Sequence, residues 1–367
     1  MRSSWQPPQF PDAAFVASPA AVSRALGQAW PRLDAVAALL SPAAESMLED
    51  MAAAATECTL RHFGRARLLF TPLYVANYCE NRCRYCGYAA HVAMPRLKLS
   101  LEEVAAQGER IAATGLRHLL LLTGEAPRRA GVDYIVDCVR LLAPRFPGLA
   151  LEVFPLATAQ YGDAVEAGAT GLTLYQETYD PEVYRAMHPA GPKADYAWRL
   201  DAPARAAHAG MPSITLGVLL GLASWRQDVL ALVAHARYLL ERFPGVEIGV
   251  SLPRLRPHAG GFAAPHPVTD RQFVQAILAL RLALPCAGIT LSTRESPRLR
   301  DGLVGLAVTK LSAGVRTSVG EVEGSEQFAI SDTRSVAEVV AMLRSRGMQP
   351  VFKDWQPLAS AATSRAA

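Results

Sequence analysis

The stretch Leu68-Leu-Phe-Thr-Pro-Leu-Tyr-Val-Ala76-Asn-Tyr-Cys79-Glu-Asn-Arg-Cys83-Arg-Tyr-Cys86 decides the reading of this chain. Leu68–Ala76 is a short apolar run of the kind that forms a buried strand. A loop with the spacing Cys79-x3-Cys83-x2-Cys86 follows it directly. Upstream, residues 1–67 read as helical: apolar positions recur at helical spacing through Val36–Leu48 and on towards Leu60, with Ser41-Pro42 as a start signal. Downstream, the apolar runs His118–Thr123, Leu151–Pro155, Gly171–Gln176, Ser213–Leu219, Val246–Ser251, Gly288–Ser292 and Leu306–Leu311 alternate with amphipathic segments. One of these opens at Ser100, where Ser100 and Glu103 have capping-box spacing. Others cover Tyr134–Ala143, Tyr161–Ala167, Asp195–Ala209, Gln227–Phe243, Asp270–Leu284 and Pro297–Val304. Eight strands alternating with helices fit an α/β protein, a (β/α)8 barrel of the TIM type. A doubly wound sheet has the same alternation. The expected divisions are a helical extension over 1–67, the barrel over 68–320, and a C-terminal helix (Val336–Arg346) with a Pro350–Trp355 tail over 321–367.

Most of the apolar runs end in polar or small residues: Thr123-Gly124-Glu125, Gln176-Glu177, Arg254 with Arg256, Arg294-Glu295, and Ser312 onward. In a barrel these ends meet on one rim, where barrel active sites are built. Thiolates are soft ligands suited to zinc or to iron–sulfur clusters. Three cysteines at this spacing can ligate three irons of a cubane and leave the fourth iron open, the mark of a catalytic metal. The competing reading is a structural zinc site with His91 as fourth ligand. Cys58, Cys138 and Cys286 stand alone in apolar contexts and read as small buried hydrophobes.

Hydrophobic residues make up 51% of the 367 and charged residues 19%, enough for a large core and too apolar for disorder. The net charge of +4 is spread out, with no basic run that would suit nucleic acid. Met1–Asp12 holds three prolines and no apolar signal core, and no stretch approaches a membrane span. A cysteine cluster without a disulfide pattern favours metal chemistry in a reducing compartment, so the expected location is cytoplasmic.

With its aromatic residue before the third cysteine, Cys79-x3-Cys83-Arg84-Tyr85-Cys86 resembles the signature loop of the radical S-adenosylmethionine superfamily. The resemblance implies a [4Fe-4S] cluster on Cys79, Cys83 and Cys86. Its open iron would chelate S-adenosylmethionine, which one electron cleaves to methionine and a 5′-deoxyadenosyl radical. Leu122-Thr123-Gly124-Glu125 resembles the strand-two motif of that superfamily.

Further stretches look like its aromatic-amino-acid lyases. They are Leu174–Tyr179, His188–Gly191, Arg199-Leu200, Gly217–Arg226, Pro253–Pro257, Leu291–Ser296, Ser312–Gly314, Gln327–Asp332 and Lys353-Asp354-Trp355. Among these lyases the chain is most similar to the 2-iminoacetate synthases, the tyrosine lyases of thiamine biosynthesis. The related tryptophan lyases share the barrel. The tyrosine lyases of hydrogenase maturation carry a C-terminal cysteine motif, and this chain has no cysteine after Cys286. Val92 and Gly320-Glu321-Val322 depart from the family pattern, at positions expected near the substrate cavity, although Arg96 fits it.

The resemblance implies cleavage of the Cα–Cβ bond of L-tyrosine to 2-iminoacetate and p-cresol. It also implies a reductant such as flavodoxin or ferredoxin, and a thiazole-forming synthase that receives the imine. By the same resemblance, Tyr85, Gly124, Glu125, Gln176, Glu177 and Arg199 would surround S-adenosylmethionine. Arg294 would clamp the substrate carboxylate, as suits a guanidinium fork, with Ser312 and Tyr88 beside it. A structural ion pair of Arg294 with Glu295 or Asp301 is the alternative for that residue.

Overall fold

In the computed structural model, which describes residues 5–258 and 260–353, the run at Leu68 is the centre of strand β1 (Ala66–Ala76). Seven more parallel strands follow: β2 (His118–Thr123), β3 (Gly148–Glu152), β4 (Gly171–Glu177), β5 (Ser213–Val218), β6 (Glu247–Ser251), β7 (Gly288–Leu291) and β8 (Lys310–Ser312). Each pairs with the next, and β8 pairs with β1 through Leu68↔Lys310. The β1–β2 pairing, Thr71↔Leu119 onward, closes the ring. The result is the expected closed (β/α)8 barrel.

Alternation along each strand sorts the side chains. In β3, Leu149 and Leu151 are fully buried against the outer layer, while Gly148 and Ala150 line a 270 Å³ cavity in the lower barrel. Tyr175 of β4 borders the top of that cavity. Its ring lies against Gly217, where a Cβ would stand 2.3 Å from it.

The helix over Leu101–Ala113 opens with the expected capping box between Ser100 and Glu103. Ser41 likewise caps the turn Pro42–Glu45 through the Ala44 amide. The N-terminal helical pattern is broken into Leu33–Leu39, Pro42–Glu45 and Leu48–Phe63.

Four expectations shift. The third strand runs over Gly148–Glu152 rather than Leu151–Pro155. The eighth starts only at Lys310, because Leu306 and Ala307 still bond back to Leu303 and finish the helix over Pro297–Leu303. The Asp195–Ala209 segment splits into Tyr196–Leu200 and Ala202–His208, since Pro203 lacks the N–H that a continuous helix needs. The expected tail contains a ninth strand, β9 (Gln349–Val351), paired parallel with Ala66–Leu68 of β1. Asp354 and Trp355 lie outside the described residues. No helix among the described residues is long and apolar enough to cross a membrane.

Candidate active site

Beyond β1, a single guanidinium shapes the cysteine loop. Arg96 donates to the carbonyls of Asn77 (2.8 Å), Tyr88 (2.7 Å), Ala89 (2.7 Å) and Val92 (2.9 Å), tying both ends of the loop together. The fixed fork of arginine suits this task. Buried Asn77 adds bonds to Pro95 O (2.8 Å) and from Leu97 N (2.7 Å). Cys83 is buried, and Cys79 and Cys86 are half-buried. Amide groups approach two of the sulfurs: Asn81 Nδ2 stands 3.7 Å from Cys79 Sγ, and Gln327 Nε2 stands 3.8 Å from Cys86 Sγ. Burial pushes the Cys83 thiol up to about 12 against the pull of Lys193. Burial and the neighbouring Cys79 raise Cys86.

Among the described residues no three His, Cys, Asp or Glu side chains converge to hold one metal ion, so the Cys3His site with His91 is not formed. Three thiols on one loop, with amide groups beside two of the sulfurs, are a donor set that fits an iron–sulfur cluster.

Strand β2 delivers the next groups. A Cβ on Gly124 would stand 2.3 Å from Tyr78 O and 3.2 Å from Cys79 Cβ. Only glycine lets the end of β2 lie this close to the cysteine loop. Glu80 N donates to Glu125 O at 2.8 Å, and Asn81 Nδ2 donates to Glu125 Oε2 at 2.6 Å. The other face of the Asn81 amide accepts from Lys193 N at 2.8 Å.

Tyr85 is buried, its hydroxyl 2.7 Å from His188 Nε2. His188 Nδ1 lies 2.7 Å from Tyr184 O and must donate there, so Nε2 accepts from Tyr85. Burial lowers this imidazole to about 3 and keeps it neutral. His188 stands at the end of the Pro181–Met187 helix, which the sequence reading did not anticipate.

Strand β4 ends in a bulge. The register with β5 shifts between Tyr175 and Glu177, and Glu177 has φ +73°, the single positive value among described non-glycine residues. Such a backbone costs on the order of 1–3 kcal/mol and persists when its surroundings over-determine it. Here Leu219 N donates to Glu177 O at 2.8 Å. The Glu177 carboxylate meets Lys193 Nζ at 2.6 Å and an Arg199 nitrogen at 3.4 Å. Burial pushes it up, but these two cations outweigh that and hold it below the usual carboxyl range. Arg199 is oriented by a 2.7 Å bond to Tyr175 O. Buried Gln176 Nε2 has no hydrogen-bond partner, an orphan donor that suits a bound polar group. Together with Glu125, which Gly124 brings against the cysteine loop, these residues fit an adenosyl amino-acid cofactor next to the cluster.

Across the mouth, Arg294 stacks on Phe328, its Cζ 3.4 Å from the ring centroid. Its two expected structural partners are taken. Glu295 is bracketed by Arg254 and Arg256, and Asp301 pairs with Arg334 at 2.8 Å. Arg254 and Arg256 are thereby scaffold. Ser312 Oγ accepts from Thr293 N at 3.1 Å and steadies the turn that carries Arg294. The Tyr88 hydroxyl donates to Thr317 O at 3.0 Å, and its ring packs edge-on against Tyr74. Val92 is buried in the loop held by Arg96. Glu321 instead points to solvent, paired with Arg316 at 3.0 Å and Arg110 at 3.8 Å, so that departure is a surface one. Cys286 is exposed, 3.6 Å from His62 Nδ1, and not the buried residue expected.

The sequence reading missed Asn81, Lys193 and Glu152, which no motif flagged. Burial raises the Glu152 carboxyl to about 7, with Arg294 opposing and Glu177 adding to the rise.

Comparison with known proteins agrees with this geometry. Residues 73–233 match the model of the radical SAM superfamily, and 251–349 match the biotin and thiamin synthesis associated domain. The chain is 38% identical to the 2-iminoacetate synthase of Escherichia coli over 94% of its own length and 93% of that protein. It is 37% identical to the Salmonella typhimurium enzyme of the same name, over 91% and 90%. The crystal structure of HydG, a maturase of the [FeFe]-hydrogenase, superposes with a TM-score of 0.89 at 32% identity, covering 96% of this chain and 80% of that one. A radical S-adenosylmethionine loop on a closed barrel, and relatives this similar over nearly the whole length, place the chain in the 2-iminoacetate synthase family.

Proposed function

We propose that this chain is a carbon–carbon lyase that splits L-tyrosine at Cα–Cβ into 2-iminoacetate and p-cresol, supplying the imine for the thiazole of thiamine. The observation that carries the proposal is the cysteine loop folded onto the barrel mouth, with Glu125, Glu177 and Arg199 on one side and on the other Arg294, which forms no ion pair among the described residues. When bound there, the cluster and S-adenosylmethionine supply a one-electron route to a carbon radical that takes hydrogen from the substrate. The protein's own work is placement. Cys79, Cys83 and Cys86 hold the cluster. Tyr85, Gly124, Glu125, Gln176, Glu177 and Arg199 surround S-adenosylmethionine, and Arg294, Ser312 and Tyr88 position the amino acid. The buried walls keep water from a reactive intermediate.

A one-electron donor such as flavodoxin or ferredoxin feeds the cluster, and a thiazole-forming synthase takes the imine. Residues 68–320 serve as the catalytic unit, with 1–67 and 321–367 as additions around it. The test is anaerobic reconstitution with reductant and S-adenosylmethionine, offering tyrosine and tryptophan separately. p-Cresol from tyrosine is the expected product, and turnover of tryptophan alone overturns the tyrosine assignment.

A further inference from the structure

Glu152 stands at the top of β3, and its role follows from where alternation puts it. Gly148 and Ala150 face the interior and line the lower cavity, so Glu152 faces the interior one layer higher. There Arg294 is the cation acting on it most strongly, followed by Arg199 and Lys193. Those last two are already engaged with Glu177. Tyr74 and Tyr175 both lie within reach of the Glu152 charge. Among the described residues Glu152 closes no hydrogen bond or ion pair, and Arg294 closes no ion pair. A guanidinium and a carboxylate therefore face one space without joining across it.

That arrangement is the complement of a zwitterion. An α-amino acid carries its ammonium and carboxylate on one carbon, so its two anchors must be neighbours of opposite sign. A ligand with only a carboxylate would satisfy Arg294 and leave Glu152 desolvated, either as an unpaired charge or holding a proton. The phenol end of tyrosine lies a ring's length from Cα, beyond the reach of side chains that must also meet at the zwitterion.

Resting on the tyrosine-lyase reading, we propose that Glu152 is a substrate-positioning residue that accepts hydrogen bonds from the α-ammonium of the amino acid whose carboxylate Arg294 holds. The site thus selects amino acids over their des-amino and decarboxylated analogues.

The test is equilibrium binding to the cluster-reconstituted protein with S-adenosylmethionine present and reductant absent, so that no turnover occurs. Tyrosine, tyramine and 3-(4-hydroxyphenyl)propanoate are the probes, with phenylalanine as the control for the phenol. Glu152→Gln should weaken tyrosine and tyramine about 10- to 100-fold, the scale for losing a charged hydrogen bond. It should leave the propanoate unchanged or tighter. Glu152→Asp should fall between. Equal weakening of all three ligands, or of none, overturns the proposal. So does a Glu152→Gln protein that only loses its preference for tyrosine over phenylalanine, since the contact would then be to the phenol.

The wild-type protein tests the underlying reading separately. If it binds tryptophan and not tyrosine, the tyrosine assignment fails. The same comparison run with tryptophan, tryptamine and indole-3-propanoate then decides Glu152. Binding of neither amino acid by wild type overturns both.

Discussion

The barrel mouth divides by role, not by strand order, into two halves that are built differently, for β3 lies between β2 and β4 in the ring. The half borne by β1, β2 and β4 centres on one stretch of sequence: ten residues, Asn77 to Cys86, carry the three thiols, the Asn81 bridge and Tyr85. Its groups are already engaged with one another, Glu125 with Asn81 and Glu177 with Lys193 and Arg199. The half borne by β3, β7 and β8 is assembled from distant single residues, Glu152, Arg294 and Ser312, and among the described residues no ion pair joins its two charges. Under the proposed assignment, a cofactor common to many chemistries meets a preformed, networked wall, and a particular substrate meets charges left open for it.

The largest effect should come from breaking the networked half at its centre. Cys83→Ser removes one of three iron ligands from the most buried position of the loop. Iron and sulfide after reconstitution should fall to background, and p-cresol should be undetectable. A full complement of iron in this variant would show that the loop does not hold the cluster. The open half is exposed to a different failure, at its foundation. Glu295 neutralises Arg254 and Arg256 beside the turn that carries Arg294. Glu295→Ala leaves half-buried Arg256 without its carboxylate and Arg254 with Asp270 alone, a change worth roughly 1–3 kcal/mol. Denaturant unfolding should show that loss, and an unchanged midpoint would remove Glu295 from the scaffold.

Arg294 itself should cost binding and not stability. Arg294→Ala is expected to weaken tyrosine about 30- to 100-fold, as for a lost charge-assisted hydrogen bond. Uncoupled cleavage of S-adenosylmethionine should persist. Loss of that cleavage with tyrosine affinity intact would move Arg294 to the cofactor half.

The same division explains what the sequence made legible. The cysteine spacing, Gly124-Glu125 and Gln176-Glu177 are local patterns whose meaning survives without coordinates. The barrel followed from alternation, because β-strands and helices differ in period. The end of β3 was misplaced by three residues, since Val153–Leu156 is as apolar as the strand itself. That slip hid Glu152, whose inward direction depends on register alone. Lys193 was invisible for a related reason: it reaches Glu177 from a short 3-10 turn (Pro192–Ala194) 16 residues later. β9 was read as tail because a three-residue edge strand has no period to detect. Glu321 was placed near the substrate by its position after β8, yet its side chain turns outward to Arg316.

Glu152 offers a smaller and more discriminating prediction on the open half. Its folded value of about 7 lies above the ordinary 4.5, so between those values the folded state holds a proton that the unfolded chain has released. The stability it contributes is full below pH 4.5 and is lost as the pH rises through 7. Glu152→Gln abolishes this dependence. Thermal melts from pH 5 to 8 should show the variant gaining on wild type as the pH increases. A flat difference would mean that the carboxyl is already compensated, and that this half is as closed as the other.

The smallest effect is expected outside both halves. The Glu321 side chain is 59% exposed, and its pairs with Arg316 and Arg110 are surface pairs. Exposed ion pairs contribute about 0–1 kcal/mol. Glu321→Ala should therefore leave both the unfolding midpoint and tyrosine binding within error of wild type, whereas Val92→Asn, inside the loop that Arg96 gathers, should alter cluster retention. A substrate effect at Glu321 equal to that at Arg294 would mean that the segment after β8 turns inward when the site fills. The open half would then include a fourth, mobile element that its resting geometry does not display.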